Sequence, residues 1–202
     1  MLTDLQQQML TDFGDSYGYG RVLVGWNGQT EIFKDPAGPP LLPGPLDRRL
    51  AGTFIQQSYF LVSTQRPIKL YRGFESAGLS APFGKDHPSY ILGLVAKRDP
   101  GRPDRQWWMP KRPSISIDNL GLPDLHRGED RADAAILREW NRLDYYLEGE
   151  LRTGSYVYVG RAAEQQETAL YGRQRYRGGG IQFWLPQKPD RMLRNLKQYT
   201  AT

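Results

Sequence analysis

The chain has 202 residues, enough for one domain or a domain with a small appendage, and it contains no cysteine, which excludes disulfides, thiol nucleophiles and thiolate metal sites. Its formal charge of +5 favours anionic partners such as nucleotides, nucleic acid or an acidic protein. His87 and His126 are isolated, and no carboxylate cluster accompanies them, so no metal is expected. No apolar run is long enough to span a membrane and no signal-peptide pattern opens the chain, so the expected site of action is the cytoplasm, of the producing cell or of a target cell after secretion.

Met1 to Gly14 reads as a short helix, with Leu2, Leu5, Met9 and Leu10 near helical spacing. Arg21 to Trp26 and Gln29 to Phe33 flank Asn27-Gly28, which predicts a hairpin with a type I′ turn. Asp35 to Pro45 is a Pro/Gly-rich connector. Residues 1–45 are therefore expected to form an N-terminal appendage to a domain over 46–202, or an added layer of it.

Leu46 to Ser58 has a helical apolar face. Short strands are expected at Tyr59 to Ser63 and Ile68 to Phe74, the second placing Arg72 at the end of an apolar face with Ile68 and Leu70. A guanidinium there needs an anion, a carbonyl, or a route to solvent. Tyr90 to Ala96 is apolar and ambiguous between helix and strand. Trp107 and Trp108, adjacent in a strand, point to opposite faces, one to the core and one to a surface or cleft. A strand over Pro113 to Ile117, a turn-like stretch over Asp118 to Asp130, a helix over Arg131 to Leu143, strands over Tyr145 to Leu151 and Gly154 to Gly160, and a loop at Arg161 to Gln165 follow. Gly178 to Pro186 reads as the last core strand and Pro189 to Tyr199 as a C-terminal helix or tail. The expected class is α+β, with short antiparallel strands and flanking helices.

The glycine run Gly178-Gly179-Gly180 leads into Ile181-Gln182-Phe183-Trp184. Alternation puts Ile181 and Phe183 on one side, and Gln182 and Trp184 on the other. Gln182 then either enters a pocket beside an aromatic wall or is simply solvated. P-loop, Rossmann, zinc-protease and serine-hydrolase signatures are absent.

Taken in order, Leu70-Tyr71-Arg72-Gly73, Trp108-Met109-Pro110 with Ser114, Glu139-Trp140-Asn141 ahead of Tyr145-Tyr146, Gly160 to Gln165, and Gly178 to Gln182 resemble the ADP-ribosyltransferase-like superfamily, and within it bacterial polymorphic-toxin domains. The Gly-Gly-Gly-x-Gln element also resembles the tuberculosis necrotizing toxin family of NAD glycohydrolases. The resemblance covers residues 66–186 and implies split antiparallel sheets around an NAD⁺ cleft, with no metal. It implies that Arg72 holds the diphosphate or a ribose, and that Tyr71, Gly73, Trp107, Trp108, Ser114 and Tyr146 line the cofactor site. Gln182 would bind a ribose hydroxyl and stabilise the departing-nicotinamide state. Transferases of this superfamily commonly use Glu within Gln-x-Glu or Glu-x-Glu. Gln165-Gln166-Glu167 fits that pattern literally and makes Gln165 and Glu167 the alternative catalytic pair, without a following β pattern.

The activity so implied is cleavage of NAD⁺ by a toxin, with transfer of ADP-ribose to a protein or RNA acceptor, and an acidic immunity or antitoxin protein as the neutralising partner. Water as acceptor gives the alternative, an NAD⁺ glycohydrolase. A different class also fits the residues: a non-enzymatic nucleic-acid-binding module using Trp107, Trp108 and the arginines Arg98, Arg102 and Arg105. The sequence is read equally as a standalone protein or as a C-terminal toxin domain.

Overall fold

A computed structural model describes residues 1–13, 19–74, 107–110, 145–166, 175–187 and 189–200, together with 116–117, 123–124, 169 and 173. The protein is sheet-rich α+β, and every strand pairing among these residues is antiparallel. The strands are β1 (Gly20–Asn27), β2 (Thr30–Lys34), β3 (Phe54–Thr64), β4 (Ile68–Phe74), β5 (Trp107–Trp108), β6 (Ser116–Ile117), β7 (Pro123–Asp124), β8 (Tyr145–Leu151), β9 (Tyr156–Ala162), β10 (Gln165–Gln166), β11 (Arg175–Tyr176), β12 (Ile181–Trp184) and β13 (Leu193–Thr200). Among the described residues the helices are α1 (Asp4–Thr11), α2 (Arg48–Ala51) and α3 (Pro189–Met192).

A six-stranded sheet runs β2-β1-β3-β9-β12-β5, and a three-stranded sheet runs β13-β8-β4. Pairs β10-β11 and β6-β7 form small ribbons. The two larger sheets are joined at Met109, whose N–H and carbonyl exchange hydrogen bonds with Tyr71 of β4 at 2.8 and 2.7 Å. Alternation along each strand sends one face of both sheets into a shared core: Phe60, Val62, Val157, Val159 and Phe183 from the larger sheet meet Ile68, Leu70, Leu147, Leu151 and Leu193 from the smaller. The other face of the larger sheet is aromatic, with Trp26, Tyr59, Tyr158 and Trp184, and the chain from Leu42 to Ala51 covers it.

The first 45 residues are woven into this architecture. A capping box between Thr3 and Gln6 starts α1, and Met9 and Phe13 enter the shared core at 0% exposure. β1 is an inner strand, hydrogen-bonded to β2 on one side and β3 on the other. The connector from Asp35 to Pro45 lies against the aromatic face, where Tyr158 donates to the Gly44 carbonyl at 2.5 Å. The appendage and the remainder thus share one sheet and both hydrophobic layers.

Several local expectations are corrected. The hairpin turn centres on Gly28 and Gln29, because Asn27 still pairs with Thr30. Gly28 has φ +58° while Asn27 and Gln29 keep negative φ, which is the pattern of Gly at the first central position of a type II′ turn. Helix over Leu46 to Ser58 is confined to α2, and Phe54 already opens β3. Left-handed Gln56 and Gln57, at φ 52° and 55°, bulge out of β3 and disturb its alternation. The loop expected at Arg161 to Gln165 instead ends β9 and begins β10. The segment expected as a C-terminal helix is the short α3 followed by β13, so β12 is not the last strand. Asn195, at φ 53°, sits in a bulge between Arg194 and Lys197, which brings Leu193 and Leu196 to the same side at a spacing that mimics a helix. The expectations for Tyr90 to Ala96 and Arg131 to Leu143, and Glu139-Trp140-Asn141 with them, lie outside the described residues.

Candidate functional site

The glycine run is a tight turn built against the end of β9. Gly178 has φ +69°, and a Cβ there would lie 2.3 Å from the Ala162 carbonyl oxygen, so no other residue fits without moving backbone. The Gly179 N–H donates to the Ala162 carbonyl, and the Ala162 N–H donates to the Gly180 carbonyl, both at 2.8 Å. Arg161 donates through Nη1 to the Gly179 carbonyl at 2.9 Å. The turn launches β12 in a fixed direction.

Gln182 is not solvated; it is 8% exposed. It lies on the aromatic side of β12 with Trp184, while Ile181 and Phe183 face the shared core, as alternation requires. Its Nε2 donates to the Thr53 carbonyl at 3.0 Å, and the same carbonyl accepts the Ala163 N–H at 2.8 Å. With the amide nitrogen anchored, Oε1 is the free acceptor end, and it has no hydrogen-bond partner among the described residues. Phe54, next to Thr53, packs edge-on to Trp107 with ring centroids 5.2 Å apart. Trp107 is half-buried. Gln182 therefore stands near an aromatic wall made by Phe54, Trp107 and Trp184.

Trp108 and Arg72 belong to the opposite face. Trp108 pairs with Phe183 and is 1% exposed in the shared core. One step along from the Tyr71–Met109 bridge, the antiparallel register sets Arg72 beside Trp108. Arg72 follows Leu70 onto the core side, opposite Leu147, and its Nη1 is withdrawn from water. Trp108 Nε1 is buried there without a hydrogen-bond partner among the described residues. The tryptophan pair divides between core and outer face as expected. Arg72 and Gln182, expected to converge on one ligand, face away from each other across a single layer.

Tyr71 falls on the Gln182 side. Extending the β5–β12 register by one residue puts Met109 between Gln182 and Tyr71, so Tyr71 is two strand spacings, about 10 Å, from Gln182. Gly73 is buried in β4 and pairs with Tyr146 of β8. Gln165 pairs with Tyr176 in the β10–β11 ribbon. Ser114 and Glu167 lie outside the described residues, as does the side chain of Tyr146.

The structure also brings in residues that the sequence reading passed over. Thr53 acts through its carbonyl, which no side-chain pattern announces. Glu148, at 8% exposure, lies on the Gln182 side between Tyr71 and Lys197, with Lys69 Nζ at 3.8 Å. Its position follows from strand alternation in β8, a signal that was available. Tyr59 and Tyr158 have phenols pushed up to about 12 by burial. Among the described residues no group of three or more His, Cys, Asp or Glu could hold a metal, and no helix is long and apolar enough to cross a membrane.

No protein-family model, curated protein or solved structure matches the chain.

Proposed function

We propose that the protein cleaves the nicotinamide–ribose bond of NAD⁺ and passes ADP-ribose to a macromolecular acceptor, on an ADP-ribosyltransferase-like fold. The observation that carries this reading is the anchored amide of Gln182. A glutamine whose nitrogen is held by a backbone carbonyl presents its oxygen in one direction. That oxygen can accept from a ribose hydroxyl, and its dipole stabilises positive charge growing at C1′. The C1′–N bond breaks with its electron pair going to the nicotinamide nitrogen, which leaves as neutral nicotinamide. The acceptor then bonds to C1′ and loses its proton. Gln182 does not titrate, so its part is electrostatic and orienting, not that of a general base. Half-buried Trp107, braced edge-on by the buried ring of Phe54, offers a face on which a nicotinamide or adenine ring can stack. Arg72 faces the other way, so this reading gives it no contact with the reacting ribose. If the protein acts as a toxin, its charge of +5 suits an acidic neutralising partner.

The test is nicotinamide release from NAD⁺ by the purified protein, with and without cell extract. Release that requires extract, with label on protein or RNA, supports the transferase. Release in buffer alone supports water as acceptor. Gln182→Ala is expected to lower the rate by about 100-fold or more. A folded protein that releases no nicotinamide under either condition would falsify the reading.

A further inference from the structure

The start of β12 is held from both sides of the sheet, and the second holder is Arg161. Alternation along β9 places Arg161 on the core side with Val157 and Val159. Its guanidinium is forked between two partners. Nη1 donates to the Gly179 carbonyl at 2.9 Å, and Nη2 pairs with Oδ2 of Asp12. Asp12 caps the C-terminal end of α1 and is 5% exposed, and its other oxygen accepts from Gln8 Nε2 at 2.8 Å. Helix α1 is fixed in turn by Met9 and Phe13 in the core and by Gln6, which donates to Ser58 Oγ at 3.1 Å. A continuous path thus runs from α1 through Asp12 and Arg161 to the glycine turn. On the opposite face, Gln182 is held by Thr53.

We infer that Arg161 is a positioning residue for Gln182, aimed by Asp12 so that the N-terminal helix sets the geometry of the glycine turn; the catalytic half of this inference rests on the proposed NAD⁺ reading. Arg161 touches backbone and a carboxylate, not the reacting atoms. Its work is to fix the Gly179 carbonyl, and with it the direction in which β12 leaves the turn. The two partners are served by two separate nitrogens held in one plane. Lysine keeps the charge, but its donors all sit on one nitrogen, so it does not reproduce the two donor positions of the guanidinium.

The experiment compares Arg161→Lys and Asp12→Asn with the native chain. Hydrogen exchange is followed in the peptide covering Gly178 to Trp184, with a β1 peptide as internal reference. In Arg161→Lys, exchange in the turn peptide is expected to rise about 10-fold while the β1 peptide stays unchanged. Nicotinamide release is expected to lose about 10-fold in kcat, with KM within about two-fold, as for a misplaced catalytic group and an intact binding surface. Asp12→Asn, which keeps the shape of the carboxylate, is expected to show the same pattern more weakly, and it decides the matter if Arg161→Lys does not fold. Unchanged exchange, or faster exchange with an unchanged kcat, overturns the inference. If the native protein releases no nicotinamide, the catalytic reading fails by itself. Faster exchange then still upholds the clamp on the turn, and unchanged exchange overturns it.

Discussion

The two faces of the six-stranded sheet are specified by different physics. The face shared with the smaller sheet is filled by Phe60, Val62, Val157, Val159 and Phe183, which hold one another by volume alone. The outer face carries rings with polar tips. Tyr59 donates to the Gly28 carbonyl at 2.8 Å and accepts the Leu46 N–H at 2.9 Å, and Tyr158 donates to the Gly44 carbonyl. The bonds to Leu46 and Gly44 fasten the C-terminal end of the proline-rich connector, and its start is held by the Asp35 N–H donating to the Leu23 carbonyl at 2.8 Å. Gln182 belongs to this second face and is held in the same way, by one bond to a loop carbonyl. At the start of β12 the core side carries directed bonds too, from Arg161 to the Gly179 carbonyl and to Asp12, so the contrast holds for the middle of the sheet and not for the glycine turn.

The sharpest test of the contrast is Phe60→Ala. Phe60 is fully buried and packs against Phe13 with ring centroids 5.9 Å apart, so the substitution leaves a cavity between the two sheets. The expected loss is about 3–5 kcal/mol in urea or thermal unfolding. A loss under about 1 kcal/mol would mean that the shared core is loose, and that volume does not specify this face.

Tyr59→Phe probes the other face and should cost less, because the ring stays and only the hydroxyl leaves. The hydroxyl serves a donor and an acceptor, and removing it strands the Leu46 N–H and the Gly28 carbonyl. A loss of about 1–3 kcal/mol is expected. Faster proteolysis confined to the connector between Asp35 and Pro45 would sharpen the comparison. Uniform destabilisation with no local change would break it.

The same division explains what could be read from the sequence. The strands around the shared core were legible, since Tyr59 to Ser63 is an apolar run, buried on both faces, and alternation in β12 records which side chains meet the core. The placement of Trp107 and Trp108 followed from the same rule. Segments with bulges were not legible, because an extra residue converts a two-residue period into one that resembles a helix. Leu193 and Leu196 around Asn195 show this, whereas the bulge at Gln56 and Gln57 inserts three residues between Phe54 and Tyr59 and leaves no regular period. The site was half legible. Gln182 could be singled out because it is a lone polar residue in an apolar strand after three glycines. Its anchor at Thr53 could not, since a backbone carbonyl carries no signature. Nor could the separation of Arg72 from Gln182, which depends on the bridge between Met109 and Tyr71 across a long sequence gap.

The smallest expected effect is also the most specific to the outer face. Burial pushes the phenols of Tyr59 and Tyr158 up to about 12, against about 10 in an unfolded chain. Below pH 10 both are neutral in both states, and their contribution to stability is fully present. Between about 10 and 12 the unfolded chain releases phenolic protons that the folded chain keeps, so the unfolded state gains and stability falls as pH rises. Each tyrosine contributes a slope of at most about 1.4 kcal/mol per pH unit in that window. Tyr158→Phe is expected to cost about 1 kcal/mol at neutral pH, for its bond to the Gly44 carbonyl. It should also lose less stability than the native chain between pH 10 and 11, because one of the two buried phenols no longer titrates. Urea midpoints at pH 9, 10 and 11 measure both quantities. Parallel curves for the native and Tyr158→Phe chains would show that the Tyr158 hydroxyl is in contact with water. The connector would then not seal the aromatic face, and the contrast between a face set by volume and a face set by hydrogen bonds would lose its second half.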